Sequence, residues 1–273
     1  VAKGAWKDGE LDTIASAGQN LFSSIDLTLQ QYSDSLMAGK AGAVVAIEPS
    51  SGEILAMTSA PTYDPALFAT RDFSKNYSKL YRDPYKPLNN RALSGSYRPG
   101  STFKTVQALV AMQEGAISPG SIFSHAGAPM KCHGHGGLTG VSSAIQWSCN
   151  PYFYHVFRRM LYANDEKNTF KASAIGLTKW HDYTEKFGFG HKLGIDLPSE
   201  SSGKLPDVNY YDKIYGERRW KFSNIYSLSI GEGELLINPL KLANLAAIIA
   251  NRGWYIAPHL IKGVGKNNNP LAQ

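Results

Sequence analysis

A serine hydroxyl is a poor nucleophile at neutral pH, so it needs a base within reach and surroundings that favour the anion it generates. Ser101-Thr102-Phe103-Lys104 offers both. On a helix the i, i+3 spacing sets hydroxyl and amine on one face. Pro99-Gly100 stands just before the tetrad and stops any helix running in from upstream. Ser101 therefore falls at a helix N-terminus, where free N–H groups and the helix dipole favour negative charge. Packing around Phe103, Val106, Leu109 and Val110 would desolvate Lys104, lower its pKa and let it act as a base. The chemistry within reach is acyl transfer through a serine ester.

A second element complements the first. In Ser148-Cys149-Asn150 the hydroxyl can relay a proton between the lysine and a leaving or entering amine, while the asparagine amide holds the lysine and a substrate carbonyl. Each pattern recurs without that context. Ser201-Ser202-Gly203-Lys204 follows Pro198 with no apolar helix behind it and reads as a solvated turn. Ser74-Lys75-Asn76 lies in a charged segment and reads as surface.

The elements that must position these groups follow from patterning. Asp26 can cap a helix running to Gly39, with Leu29, Tyr32 and Leu36 on one face. Ala43–Ile47 and Ile54–Thr58, joined through Pro49–Gly52, predict a hairpin over 42–59. Residues 61–100 read as a long irregular connection of the kind kept for function. The Ser101 helix is expected to reach Glu114, before Gly115. Residues 116–141 read as loop; Ser142–Trp147 and Tyr152–Tyr162 read as helices, with Trp147, Tyr152, Phe153, Tyr154 and Phe157 in the core. Ser227–Leu236 is a glycine-punctuated loop, Pro239–Ile249 predicts a wholly buried helix, and Gly263–Gln273 is expected to be loose.

With 273 residues, 43% of them hydrophobic, the chain can bury a sizeable core in one domain. No apolar run approaches the ~18 residues of a membrane span. Val1 opens in polar sequence without a signal-peptide pattern, as a mature or trimmed chain would. The net charge of +6 comes from scattered Lys and Arg, which gives no nucleic-acid footprint.

Longer segments carry a resemblance. Ala43-Val44-Val45-Ala46-Ile47-Glu48-Pro49, Gly52-Glu53-Ile54-Leu55-Ala56-Met57 and Pro61-Thr62-Tyr63-Asp64-Pro65 resemble the first hairpin of the class B penicillin-binding protein transpeptidase domain. Asn90-Arg91-Ala92 and Arg98 to Lys104 resemble its nucleophile segment. Phe187-Gly188-Phe189-Gly190, Gly194-Ile195-Asp196-Leu197-Pro198 and Ser229-Ile230-Gly231-Glu232-Gly233-Glu234 follow in the same order. The likeness covers roughly residues 19–262 and is closest in wording to the elongation type, with the division-septum type next.

The resemblance implies an α/β (α+β) domain with the penicillin-recognising serine transferase fold, shared by β-lactamases and transpeptidases. Residues 1–25 would be a linker from an absent N-terminal region, and 26–273 a partial transpeptidase domain. The implied function is peptidoglycan D,D-transpeptidation, which cross-links the cell wall and is the target of β-lactams. By that likeness Ser101 attacks the D-Ala-D-Ala carbonyl of a stem peptide, Lys104 is the base, and Ser148 and Asn150 move protons and hold substrate. The Ser101 N–H would serve the oxyanion; Gly231 and Gly233 are read as allowing close backbone packing near the site, and as its candidate substrate-binding residues. Implied partners are stem peptides, β-lactam antibiotics, a membrane glycosyltransferase and elongation-complex proteins, at the periplasmic face of the inner membrane, with this chain itself soluble. No cofactor is required. A β-lactamase or β-lactam sensor on the same fold, or a non-catalytic scaffold of the elongation complex, stands as the alternative.

One family element is missing. No Lys-Thr-Gly occurs, and Lys192-Leu193-Gly194 lies where the family has no catalytic group. The element is expected beyond Gln273, leaving the central sheet without its later strands and with an open edge. Loss of an oxyanion donor costs about two to three orders of magnitude, so little or no activity is expected of this chain. The cysteines allow three readings: a Cys132–Cys149 disulfide in an oxidising compartment, a structural zinc held by Cys132, His133, His135 and Cys149 with His125 nearby, or two unrelated thiols with Cys149 merely buried.

Overall fold

A computed structural model describes residues 18–134 and 138–265. Strand β1 (Leu21–Ser23) comes first, and Asp26 then caps helix α1 (Leu27–Leu36) by accepting the Leu29 N–H at 2.9 Å. The hairpin of β2 (Gly42–Ile47) and β3 (Ile54–Ala60) is antiparallel, with Val44 opposite Thr58. Along β3 buried and half-buried residues alternate, the period of a strand with one covered face. Helix α1 lies against it, and Gln30 Oε1 accepts the Met57 N–H at 2.8 Å.

The connection after the hairpin is not irregular. It holds helix α2 (Phe73–Arg82) and the short helix α3 (Arg91–Ser94). No residue of α2 is buried, so the usual apolar stripe does not announce it; its signal is aromatic rings at i, i+4. A 3-10 turn over Gly100–Phe103 then leads into α4 (Lys104–Gln113). Strands β4 (Ile122–Ser124) and β5 (Leu138–Gly140) pair inside the stretch expected to be loop. Helices α5 (Val141–Gln146), α6 (Asn150–Leu161), α7 (Thr169–Glu185), α8 (Val208–Tyr215), α9 (Phe222–Ile225) and α10 (Pro239–Ala250) follow. Finally β6 (Ile261–Val264) pairs antiparallel with β1. Residues at the end of the expected linker and the start of the expected loose tail thus meet in one small sheet.

The larger core lies among α4, α6 and α7, where Phe103 stands edge-on to Trp180 and Phe189 at 6.0 and 5.7 Å. A smaller core of Ile54, Leu93, Leu193, Ile195 and Leu240 lies under the hairpin. Burying each such side chain contributes about 1.5–3 kcal/mol. Three positions expected inside are not: Leu109 is 43%, Ile249 46% and Trp147 57% exposed. Among the described residues no third strand joins the hairpin; only a single bridge from Glu53 to His259 flanks it.

Candidate active site

Lys104 is 2% exposed although its side chain is charged in water. Its Nζ lies 3.1 Å from Ser101 Oγ, 2.9 Å from Ser148 Oγ, 2.8 Å from the Ser148 carbonyl and 2.6 Å from Asn150 Oδ1. Burial pulls the amine down to about 8, with Cys149 and Cys132 opposing the shift. A neutral amine has two N–H donors and one lone pair. The Ser148 carbonyl and Asn150 Oδ1 can only accept, so together they take both N–H groups and leave the lone pair for the hydroxyls. Asn150 is oriented for this by its own Nδ2, which donates to Lys131 O at 3.3 Å. Ser101 and Lys104 therefore have the geometry a nucleophile and its base require.

The two serines complete the set. Ser148 Oγ is 2.8 Å from Ser101 Oγ, in reach of both the amine and the nucleophile. Ser148 itself has φ 51, a left-handed conformation that an L residue with a Cβ adopts only under constraint. Cys149 N–H to Ala144 O at 2.8 Å, and α6 beginning at Asn150, fix the backbone on its far side.

Behind the nucleophile runs the segment 227–237. Gly100 N–H donates to Gly231 O at 2.9 Å, and Tyr97 and Ile237 exchange backbone bonds of 2.8 Å. Gly231 has φ 72, and a Cβ there would lie 2.2 Å from Gly100 O and 2.7 Å from Phe103 Cβ. Gly233 has φ 74 and would meet Ser227 Oγ at 2.5 Å; its carbonyl accepts Arg98 Nε at 2.9 Å. Both glycines, expected to allow close backbone approach beside the substrate site, do pack closely against protein here. They shape the wall on which Ser101 rests.

This geometry has close counterparts. Residues 42–272 match the family model of the penicillin binding protein transpeptidase domain. The chain belongs to the penicillin-binding protein transpeptidase family. It is 36% identical to the peptidoglycan D,D-transpeptidase MrdA of Acinetobacter baumannii over 256 residues, which are 90% of this chain and 36% of that protein. The crystal structure of Pseudomonas aeruginosa PBP2 in complex with WCK 5153 is similar at TM-score 0.80 and 32% identity, over 94% of this chain and 54% of that one. The Helicobacter pylori PBP2 in complex with MreC is similar at TM-score 0.74 and 26% identity, over 92% of this chain and 45% of that one. The chain thus spans about a third of the curated relative and about half of each solved one. The mixed α/β fold of a transpeptidase domain is shared throughout.

Around this site the cysteines sit differently from the expected zinc quartet. His125, Cys132 and Cys149 offer ligand atoms that all lie within 4.8 Å of one another, and His125 Nε2 is 3.3 Å from Cys149 Sγ. His133 is exposed and outside this group, and His135 lies outside the described residues. Both thiols are unbridged. Sequence spacing favoured the histidines next to Cys132, whereas the β4–β5 pairing brings His125 back over α6 instead. Burial pushes the Cys149 thiol up.

Two further residues support the site. Gln107 is fully buried and ties α4 to Leu228 O at 2.8 Å while accepting Trp180 Nε1 at 2.9 Å. Arg98 reaches Glu232 at 3.7 Å as well as the Gly233 carbonyl. A buried Gln at a helical core position was the available cue for the first. Among the described residues no helix is long and apolar enough to cross a membrane.

Proposed function

We propose that this chain carries the acylation centre of a peptidoglycan D,D-transpeptidase. The observation that supports it is the Lys104 amine, buried, 3.1 Å from Ser101 Oγ, with acceptor-only oxygens on its other side. Ser101 Oγ attacks the carbonyl of the penultimate D-Ala and its proton passes to Lys104 Nζ. The peptide C–N bond breaks, and the departing D-Ala amine takes the proton through Lys104 and Ser148, leaving an ester on Ser101. An amine from a neighbouring stem then attacks the ester, loses its proton along the same path and restores the hydroxyl. β-Lactams open on Ser101 by the same first step. Asn150 keeps the amine turned and meets a substrate carbonyl.

The activity of these 273 residues is proposed to be weak, because no Lys-Thr-Gly element occurs among them and a missing oxyanion donor costs about two to three orders of magnitude. We assign residues 26–273 to the transpeptidase domain and the preceding ones to a linker. The protein of which they are part would act at the periplasmic face of the inner membrane, with stem peptides as substrate and a glycosyltransferase and other elongation-complex proteins as partners. A peptide thioester ending in a D-Ala mimic tests the reading. Slow thiol release, lost in Ser101→Ala and in Lys104→Met, is expected; release equal in wild type and Ser101→Ala contradicts it.

His125, Cys132 and Cys149 are proposed to hold a structural zinc ion. One imidazole and two thiols, their ligand atoms within 4.8 Å of one another, would supply three of the four ligands of its tetrahedral preference. The ion would supply the charge that keeps both thiols ionised. The residues themselves would pin the 125–132 loop to Cys149 and so steady Ser148 and Asn150 on either side.

A further inference from the structure

Cys132 and Cys149 stand close enough to react with each other, and each is tied to the catalytic set. Both are free thiols, and their Sγ atoms lie within 4.8 Å. A disulfide needs about 2 Å between the sulfurs, so a short approach closes the bond. The pair is asymmetric. Cys132 is half-buried in the connection between β4 and β5, where a small oxidant can reach it, whereas Cys149 is fully buried at the start of α6. A thiol must lose its proton before it attacks, and His125 Nε2, 3.3 Å from Cys149 Sγ, can take it.

Each cysteine has a neighbour that shapes the base. Cys149 stands between Ser148 and Asn150. Its N–H is held by Ala144 O at 2.8 Å, and its Sγ accepts the Tyr152 N–H at 3.4 Å as the cap of α6. Lys131, next to Cys132, offers its carbonyl to Asn150 Nδ2 at 3.3 Å. Because Cys149 is anchored by a helix start and Cys132 lies in a connection, the approach comes from the Cys132 side. It displaces the Lys131 carbonyl that orients Asn150, whose Oδ1 lies 2.6 Å from Lys104 Nζ.

We propose that Cys132 and Cys149 are a redox switch: a peroxide joins them in a reversible disulfide that turns acylation down. The Cys132 thiolate attacks one oxygen of hydrogen peroxide, the O–O bond breaks, and hydroxide leaves to be protonated to water. Cys149 gives its proton to His125, and its sulfur attacks the sulfenic sulfur of Cys132. The S–O bond breaks, and the oxygen leaves as water with that proton. Two electrons pass from the thiols to the peroxide, and a dithiol or phosphine reductant returns them. The proposal shares its cysteines with the zinc reading, whose thiolates oxidation would withdraw, and rests on the acylation centre for its effect.

The full chain, zinc-loaded and after chelation, is treated with a slight excess of hydrogen peroxide. Non-reducing peptide mapping is expected to show Cys132 joined to Cys149 within one chain, with loss of both thiol hydrogens in the intact mass. Penicillin acylation is expected to fall about a hundredfold, as small misplacements of catalytic groups do. It should return when a phosphine reductant and zinc are supplied, which does not reverse methionine oxidation or the higher cysteine acids. Cys132→Ser, treated alike, should keep the acylation it had before treatment. Hydrogen exchange over 148–152 reads the displacement without reference to activity and is expected to quicken on oxidation, so it decides if no form acylates. No cross-link with or without zinc, a cross-link between two chains, or one that changes neither acylation nor exchange overturns the proposal. Equal loss of acylation in Cys132→Ser overturns it too. Absence of zinc from the purified chain strikes the metal assignment alone, since the cross-link is still expected.

Discussion

The hydroxyls of Ser101 and Ser148 stand 2.8 Å apart, and Ser148 is held in left-handed backbone at φ 51. Strain at that residue and the position of its hydroxyl are one feature, because the φ that costs stability also aims Oγ between the lysine and the nucleophile. Glycine adopts that φ freely. Ser148→Gly is therefore expected to stabilise the fold by about 1 kcal/mol while slowing acylation by about 10²–10⁴. Ser148→Ala keeps the strain and should slow acylation without a gain in thermal midpoint. A Ser148→Gly variant less stable than Ser148→Ala would contradict this link.

The second expectation concerns pH. Lys104 accepts a proton only as a neutral amine, and burial lowers its pKa to about 8. Acylation should rise about tenfold per pH unit below 8 and level off above it. The same shift bears on stability. Between about pH 8 and 10.5 the unfolded lysine still binds a proton that the folded one has lost, so this residue's contribution to stability rises with pH across that window. A flat acylation profile from pH 6 to 9 would remove Lys104 from the role of base.

The wall behind the nucleophile is tested by Gly231→Ala. A methyl group there meets Gly100 O at 2.2 Å, which is backbone and must shift. Overpacking of this kind costs about 1–3 kcal/mol, and the displaced Gly100 carries Ser101 with it. Acylation should fall by more than the unfolding data alone explain. Equal stability and equal rate would mean that the segment yields freely.

The zinc proposal is read without reference to activity. Elemental analysis should find about one zinc per chain, and a chelator should lower the thermal midpoint, since a ligand bound only to the folded state stabilises it. Cys132→Ser, at a half-buried thiol, should already unfold at the lower midpoint and ignore the chelator. Metal-free protein whose midpoint no chelator moves would sink the assignment.

Much of the catalytic set was legible because its residues lie in short local patterns. Ser101 and Lys104 share one turn, Ser148 and Asn150 one tripeptide, and the Pro99-Gly100 stop is written beside them. What could not be read depended on long-range contacts. His125 reaches Cys149 only because β4 pairs with β5, and Gln107 matters because Leu228 and Trp180 come to it from distant segments. That Gly231 packs against Gly100 and Phe103 in particular was hidden for the same reason, since those partners come from a distant segment. Helix α2 escaped because it buries nothing, and burial is what makes helical periodicity visible.

The central claim is that Ser101 is the acylated nucleophile and Lys104 its base. Prolonged incubation with labelled penicillin, followed by intact mass and peptide mapping, tests it most directly. Slow formation of one adduct on Ser101, and none in Ser101→Ala or Lys104→Met, is expected. An adduct on any other residue, or wild-type labelling of Lys104→Met at neutral pH, would contradict it.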